Sequence, residues 1–594
     1  MATITSTTNG NWSSGSTWVG GVAPGNGDTA VISHNVTVDV NTTIGTSPND
    51  STTAVISLGA RILTIAAGVT LTCRGNQSWT NGASLVLGTG SQLVFDNSSS
   101  GGSPVYRIIG SGIYALSAVG TSGSPCGISA ISGQSWEFFN GSARYIAWSS
   151  LTATYCTFTR NAVGSAGGFQ VFSGTSAFSN CTFDGGGTTL FFSTGASVSL
   201  TVDNCLWQNG NYSVNGAVRL ELATAATSGT RRFNGNVLDN VFTYISKGFT
   251  IQGNYFRGLT PVANSAYTWA SFRLNFVHGT GNENGGNGQI VLNNVIRNYW
   301  VIDGANPHFI SATALQTSTN TLIAQNVFES QGTDTVDTGD CVILNSGATA
   351  GTNRILVRNN ITVPAPAGQQ TGQLLTIYNN NTSVSEHERN TVNVNDTSIV
   401  GVGKRAAFAF AEASNGAAGQ IAVLKGNLVH GTSASQGFIA ERIQGTVNDI
   451  ITASGANYNW RFNTSDGDNG RGYTDRGGNN NLWAAGNATA AGVDNNQGSG
   501  DPAFVAVTRT SVSWAVARGY GSTFADVVAA IKAVPSRTVD LINYIFEGNK
   551  PTSAACRNAA HDGACVGAAN WHDSSRDLTT VTTVVSELSA SWLA

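Results

Sequence analysis

The chain is poor in charge. Only 10% of its 594 residues are Asp, Glu, Lys or Arg, where about 25% is usual. The 29 basic and 33 acidic residues leave a net charge of −4. That excludes a strongly basic nucleic-acid binder and a polybasic membrane-surface protein. Long apolar runs are missing too, and no stretch of about 18 apolar residues exists to span a bilayer. Cysteine is sparse, eight in all, and no CxxC pair occurs, so neither a disulfide scaffold nor structural zinc is expected. Cys556 and Cys565 are close enough in sequence to pair, but free thiols are the plainer expectation. Residues 1–30 lack a basic segment followed by an apolar one, so no secretory leader is expected.

What is abundant is glycine, 72 residues, with Asn, Ser and Thr, beside a 41% apolar fraction that excludes a disordered chain. Neutral polar residues must carry solubility, and this mixture suits turn-rich, repetitive β structure. Repeats are visible. Tyr155-Cys156-Thr157-Phe158, Asn180-Cys181-Thr182-Phe183 and Asn204-Cys205-Leu206-Trp207 place their Cys residues 25 and 24 apart. Asn followed by a β-branched, aliphatic or aromatic pair returns at Asn294, Asn326, Asn360, Asn390 and Asn427, at spacings of 32, 34, 30 and 37. Asn240 and Asn254 are of the same type, but 14 residues cannot make a full turn, so one of them is out of register.

Such a period has a physical reading. A short strand cannot bury its face alone, whereas similar strands stacked in parallel form a continuous core with columns of like side chains. Asn at matching positions is expected at the bend, tolerating left-handed φ and bonding the amide of the next turn. Nearer the start, Val36, Val38 and Val40 alternate with polar residues, and Gly68-Val69-Thr70-Leu71 and Gly90-Ser91-Gln92-Leu93 are 22 apart. Trp12 and Trp18, just ahead of these turns, are expected to form a lid over the open apolar end.

Gly10, Trp12, Thr17, Trp18, Pro24, Gly27, Asp28, Val31 and Ile32 resemble the opening of the glycine-rich "eight-glycine" domain. The repeats that follow resemble the right-handed parallel β-helix (pectate-lyase-like) superfamily, which includes polysaccharide lyases and bacteriophage tail spikes. The expected fold is therefore all-β: a right-handed parallel β-helix with an N-terminal β cap and a small C-terminal helical cap. Residues 1–100 would hold the cap and first turns, 101–500 the β-helix, and 501–594 the helical cap at the solenoid's far end.

Within that last segment, Thr523 and Asp526 form a capping-box pattern, with Phe524, Val527, Val528 and Ile531 on one face. Ser536 or Thr538 is expected to open a further helix with Val539, Ile542, Ile545 and Phe546 inward and Gly548 as its stop. His561-Asp562-Gly563 through Gly567-Ala568 resembles the closing string of many phage and bacterial β-helices, and 578–593 reads as a third helix or an oligomer contact.

Chemistry on this fold needs clustered carboxylates. The best cluster is Glu329, Asp334, Asp337 and Asp340, the candidate catalytic acids; the same residues also fit a solvated loop. Glu386-His387-Glu388-Arg389 is a second candidate. Asp466 to Gly470 resembles a calcium loop but lacks ligands that loop needs, so no metal or cofactor is expected. Tyr267, Trp269, Tyr299, Trp300 and His308 are candidate substrate-binding residues, since apolar sugar faces stack on aromatic rings.

The resemblance implies a bacteriophage virion protein: a tail spike, fibre or capsid-attached spike, homotrimeric, binding a host surface glycan and contacting other virion proteins. A polysaccharide depolymerase, lyase or glycoside hydrolase, is the alternative. The virion is the expected location, after synthesis in the host cytoplasm, with a bacterial cell surface or secretion as the alternative.

Overall fold

The structure, a computed structural model, describes residues 2–46, 54–96, 105–131, 134–140, 145–159, 168–171, 174–185, 189–193, 198–209, 217–222, 229–239, 242–245, 249–257, 274–275, 290–297, 308–313, 320–329, 340–346, 354–363, 375–379, 384–394, 405–412, 421–431, 438–444, 456–457, 460–462, 473–474, 498–499, 502–506 and 508–553. Among these residues every pairing between named strands is parallel, as in Leu71↔Leu93 and Phe158↔Phe183. Each turn contributes one short strand to each of three sides, so the chain is a parallel β-helix.

One side is a single 16-stranded sheet from Thr42–Ile44 to Gly498–Ser499. At roughly 4.8 Å per strand it is about 70 Å long. A second side runs from Gly10–Asn11 to Ala456–Asn457. The third begins as a six-stranded sheet ending at Ser135–Phe139 and includes, further along, a seven-stranded sheet from Leu274–Asn275 to Tyr473–Thr474. Where the six-stranded sheet ends, the ten-residue strand Tyr145–Thr154 forks. Its first half pairs with Gly168–Val171 and its second half with Gly174–Ser179.

The core follows from strand alternation. Leu71, Leu93, Ile128, Phe158, Phe183, Trp207, Leu238, Phe256, Ile296 and Phe328 form one inward column, all buried. Phe158 stacks on Phe183 at 5.1 Å between ring centroids, and Phe183 on Trp207 at 4.8 Å. Val36 and Val38 point inward as expected; Val40, past the end of its strand, is exposed. At the start, Trp12 and Trp18 are buried edge to face, 4.9 Å apart, and their indoles donate to the carbonyls of Pro24 and Trp12. They belong to the same buried cluster as Ala30, Ile32, Val36 and Val38 of the first turns.

From Tyr155 to Asn427 the bend between the second side and the 16-stranded side turns on two residues. Its first residue has left-handed φ: Tyr155, Asn180, Asn204, Gly235, Gly253, Asn293, Gln325, Asn359, Arg389 and Gly426. Its second is Cys156, Cys181 and Cys205, then Asn236, Asn254, Asn294, Asn326, Asn360, Asn390 and Asn427. The structure thus divides between two neighbours the two tasks expected of one Asn. The first residue turns the chain, and the second links it to the next turn. Asn254 is in register, its predecessor is Asn236 only 18 residues earlier, and Asn240 lies outside the described residues.

Three helices end the described chain: Ser511–Ala517, Phe524–Ala533 and Arg537–Gly548. The capping box of Thr523 and Asp526 is present, and Gly548 ends the last helix, whose cap Ser536 makes no side-chain bond. The first helix, capped by Thr510 and Ser513, was not expected from the sequence. The helical cap exists, and its described helices lie along the flank of the rod: their apolar faces cover Val237, Tyr255, Val295, Val327, Ile361 and Val363 on the outer face of the 16-stranded sheet. The C-terminal string at 561–568, the segment 578–593, Cys556 and Cys565 lie outside the described residues.

Candidate functional site

The outer face of the 16-stranded sheet changes character along the rod. One outward column reads Thr70, Gln92, Gly127, Thr157 and Thr182, then Leu206, Val237, Tyr255, Val295, Val327 and Ile361. In the first half the Thr and Gln side chains are half-buried and Gly127 is buried. The apolar half is where the helices dock, so these strands are buried on both faces.

Beside that column runs a charged one: Asp239, Arg257, Arg297 and Glu329. Asp239 pairs with Arg257 at 2.6 Å and with Lys532 of the second helix. Arg297, 1% exposed, lies 3.4 Å from Glu329 and under the ring of Phe524. Both oxygens of Glu329 accept bonds from the first helix, Oε1 from the Ser511 amide at 3.1 Å and Oε2 from the Ser511 hydroxyl. A carboxylate at a helix N-terminus answers both the unpaired amide and the helix dipole. Burial pushes the Tyr255 hydroxyl above its ordinary range. Further along, Asn393 donates to Asn549 at 2.7 Å, and His430 meets Phe504 edge to face.

Glu329, the first of the candidate acids, is therefore an anchor for the helices and is 4% exposed. Asp334 and Asp337 lie outside the described residues. Asp340 opens the strand Asp340–Ser346, in the seven-stranded sheet and not in Glu329's. There it pairs in register with His308, the first residue of His308–Thr313. Two candidates from separate groups, an aspartate and a histidine, thus occupy matching backbone positions on adjacent turns. Tyr267, Trp269, Tyr299 and Trp300 lie outside the described residues, as does 466–470.

In the second candidate, His387 points into the core and Glu388 pairs with Arg358 at 3.9 Å. Among the described residues no three metal-ligating side chains come together, and no helix is long and apolar enough to cross a membrane.

Sequence reasoning did not reach Asp239, Arg297, Ser511 and Lys532 as partners. The available signal was the shift from Thr to Val, Tyr and Ile in the outward column, readable only once the register is known. Comparison with protein-family models, with curated proteins and with solved structures finds no match.

Proposed function

We propose that the chain is a bacteriophage virion structural protein, a β-helical tail spike or fibre that binds a polysaccharide on the host surface. The observation that carries this reading is the 16-stranded parallel sheet, stacked turn on turn and braced along its flank by helices. A projecting receptor-binding rod needs such stiffness along one axis. A stacked solenoid supplies it, because each turn is held by its neighbours over the whole length. A composition poor in charge and rich in hydroxyls and amides also suits sugar hydroxyls better than charged polymers.

The test exposes the purified protein to a panel of bacterial capsular and lipopolysaccharide preparations. Binding and product formation are both measured. Saturable binding to one glycan without new reducing ends or unsaturated products supports the spike. Binding to none of a panel drawn from susceptible hosts overturns it. Light scattering tests the accompanying homotrimer, which a monomer mass near 61.3 kDa would refute.

A second reading, a polysaccharide depolymerase, is favoured by the register of His308 with Asp340. An imidazole and a carboxylate on adjacent turns are the elements of an acid–base pair. Cleavage by the native protein that is lost in both His308→Ala and Asp340→Ala, with binding kept, would establish this reading in place of the passive spike.

A further inference from the structure

The bend column that carries Asn over most of the rod carries Cys in its earlier turns. Cys126 and Cys156 are register partners on adjacent parallel strands, and Cys181 and Cys205 continue the file. All four are free and buried. Adjacent strands hold matching Cα atoms about 4.8 Å apart. That lies inside the window of roughly 4.4–6.8 Å that a disulfide spans.

The thiols are unequal. Cys126 and Cys156 share a hydrogen bond that holds the Cys126 thiol below its ordinary range, while burial pushes Cys156 well above it. Cys126 follows a fully exposed loop, residues 121–125. Cys181 and Cys205 have no such loop directly ahead of them. Each donates to a carbonyl, that of Ala153 at 3.3 Å and of Asp203 at 3.4 Å, closer than the 3.9 Å from the Cys126 thiol to the Tyr155 carbonyl, and burial pushes Cys205 well above the usual thiol range.

We propose that Cys126 and Cys156 form a redox-active pair that closes into a disulfide between adjacent turns of the folded rod, with a small-molecule disulfide as the oxidant. The Cys126 thiolate attacks one sulfur of the oxidant, forming a mixed disulfide and expelling one thiolate. Cys156 gives its proton to that thiolate, and its sulfur attacks Cys126, expelling the second. Two protein thiols are oxidised, and one disulfide is reduced to two thiols. The product is a covalent rung where later turns have an amide rung. A chain folded in a reducing compartment would gain it on passing to an oxidising one.

The test treats the folded full-length protein with oxidised glutathione, traps remaining thiols with N-ethylmaleimide and maps peptides by mass. The expected result is a Cys126–Cys156 cross-link, formed about tenfold faster than any change at Cys181 or Cys205, with thermal unfolding shifted upward. Cys156→Ala should instead retain glutathione on Cys126. Complete alkylation of both thiols after prolonged oxidation would overturn the proposal, as would a cross-link formed only in denaturant. Wild-type mapping decides the matter alone where the variant does not fold.

Discussion

Asn294 donates its side-chain amide to Oδ1 of Asn326 at 3.0 Å, and its backbone N–H donates to the same oxygen. The relation repeats from Asn236 through Asn254, Asn294, Asn326, Asn360 and Asn390 to Asn427. The second amide hydrogen of each goes to a strand carbonyl, Ile251 for Asn294 and Val291 for Asn326. Every polar atom of a fully buried amide is thus used, which is the condition for placing it in a core at all. The cysteine file joins this ladder directly, because the Cys205 amide donates to Oδ1 of Asn236 at 2.8 Å.

Asn326→Leu tests the ladder. The change orphans the amide and side-chain N–H of Asn294 and the carbonyl of Val291. At about 1–3 kcal/mol for each of these three buried unsatisfied groups, the loss should be roughly 3–9 kcal/mol by urea unfolding. Hydrogen exchange should rise first at 290–297 and 320–329, because a solenoid transmits a defect mainly to adjacent turns. Unchanged protection there would show that the bends, and not the ladder, hold the turns together.

These same residues show what was legible beforehand. Asn294, Asn326, Asn360, Asn390 and Asn427 repeat in the sequence because one amide can serve only the next amide, so the column needs a single residue type. Leu71 and Leu93 were legible for a similar reason, each the first inward residue of a strand that follows a left-handed glycine, Gly68 and Gly90. The preceding bend position was not, because Asn, Gly, Gln, Arg and Tyr share it and no single residue type runs through the column. Nor was the role of Glu329, which lies 182 residues from Ser511. A carboxylate in an acid-rich stretch looks the same whether it faces solvent or a helix end; only the fold decides.

Glu329→Ala should therefore loosen the helices before the rod. It leaves Arg297 buried without its carboxylate and the Ser511 amide without its acceptor. Breaking one side of a buried pair costs about 3–5 kcal/mol. Exchange should increase across 511–548, while 36–38 and 71–95 keep their protection. Replacing both charges, Arg297→Met with Glu329→Leu, should recover most of the loss, since an apolar pair of similar volume is often neutral. A double variant as weak as the single one would mean that the Ser511 bonds, not the ion pair, hold the helices.

His387 gives the rod an acid limit. It points inward in register with buried Val357, is itself fully buried, and burial lowers its pKa from 6.5 to about 3. The unfolded chain takes up a proton below about pH 6.5 that the folded chain refuses until about pH 3. His387 thus contributes fully above pH 6.5, and stability falls as pH drops through the window between these values. The slope is at most about 1.36 kcal/mol per pH unit for one proton. Carboxylates titrate in the same range, so the difference between wild type and His387→Leu isolates the effect. Urea midpoints compared at pH 7 and pH 4.5 should show the wild type losing more stability on acidification than the variant, by up to one proton's worth of slope. Parallel losses in the two proteins would place the acid sensitivity of the rod elsewhere.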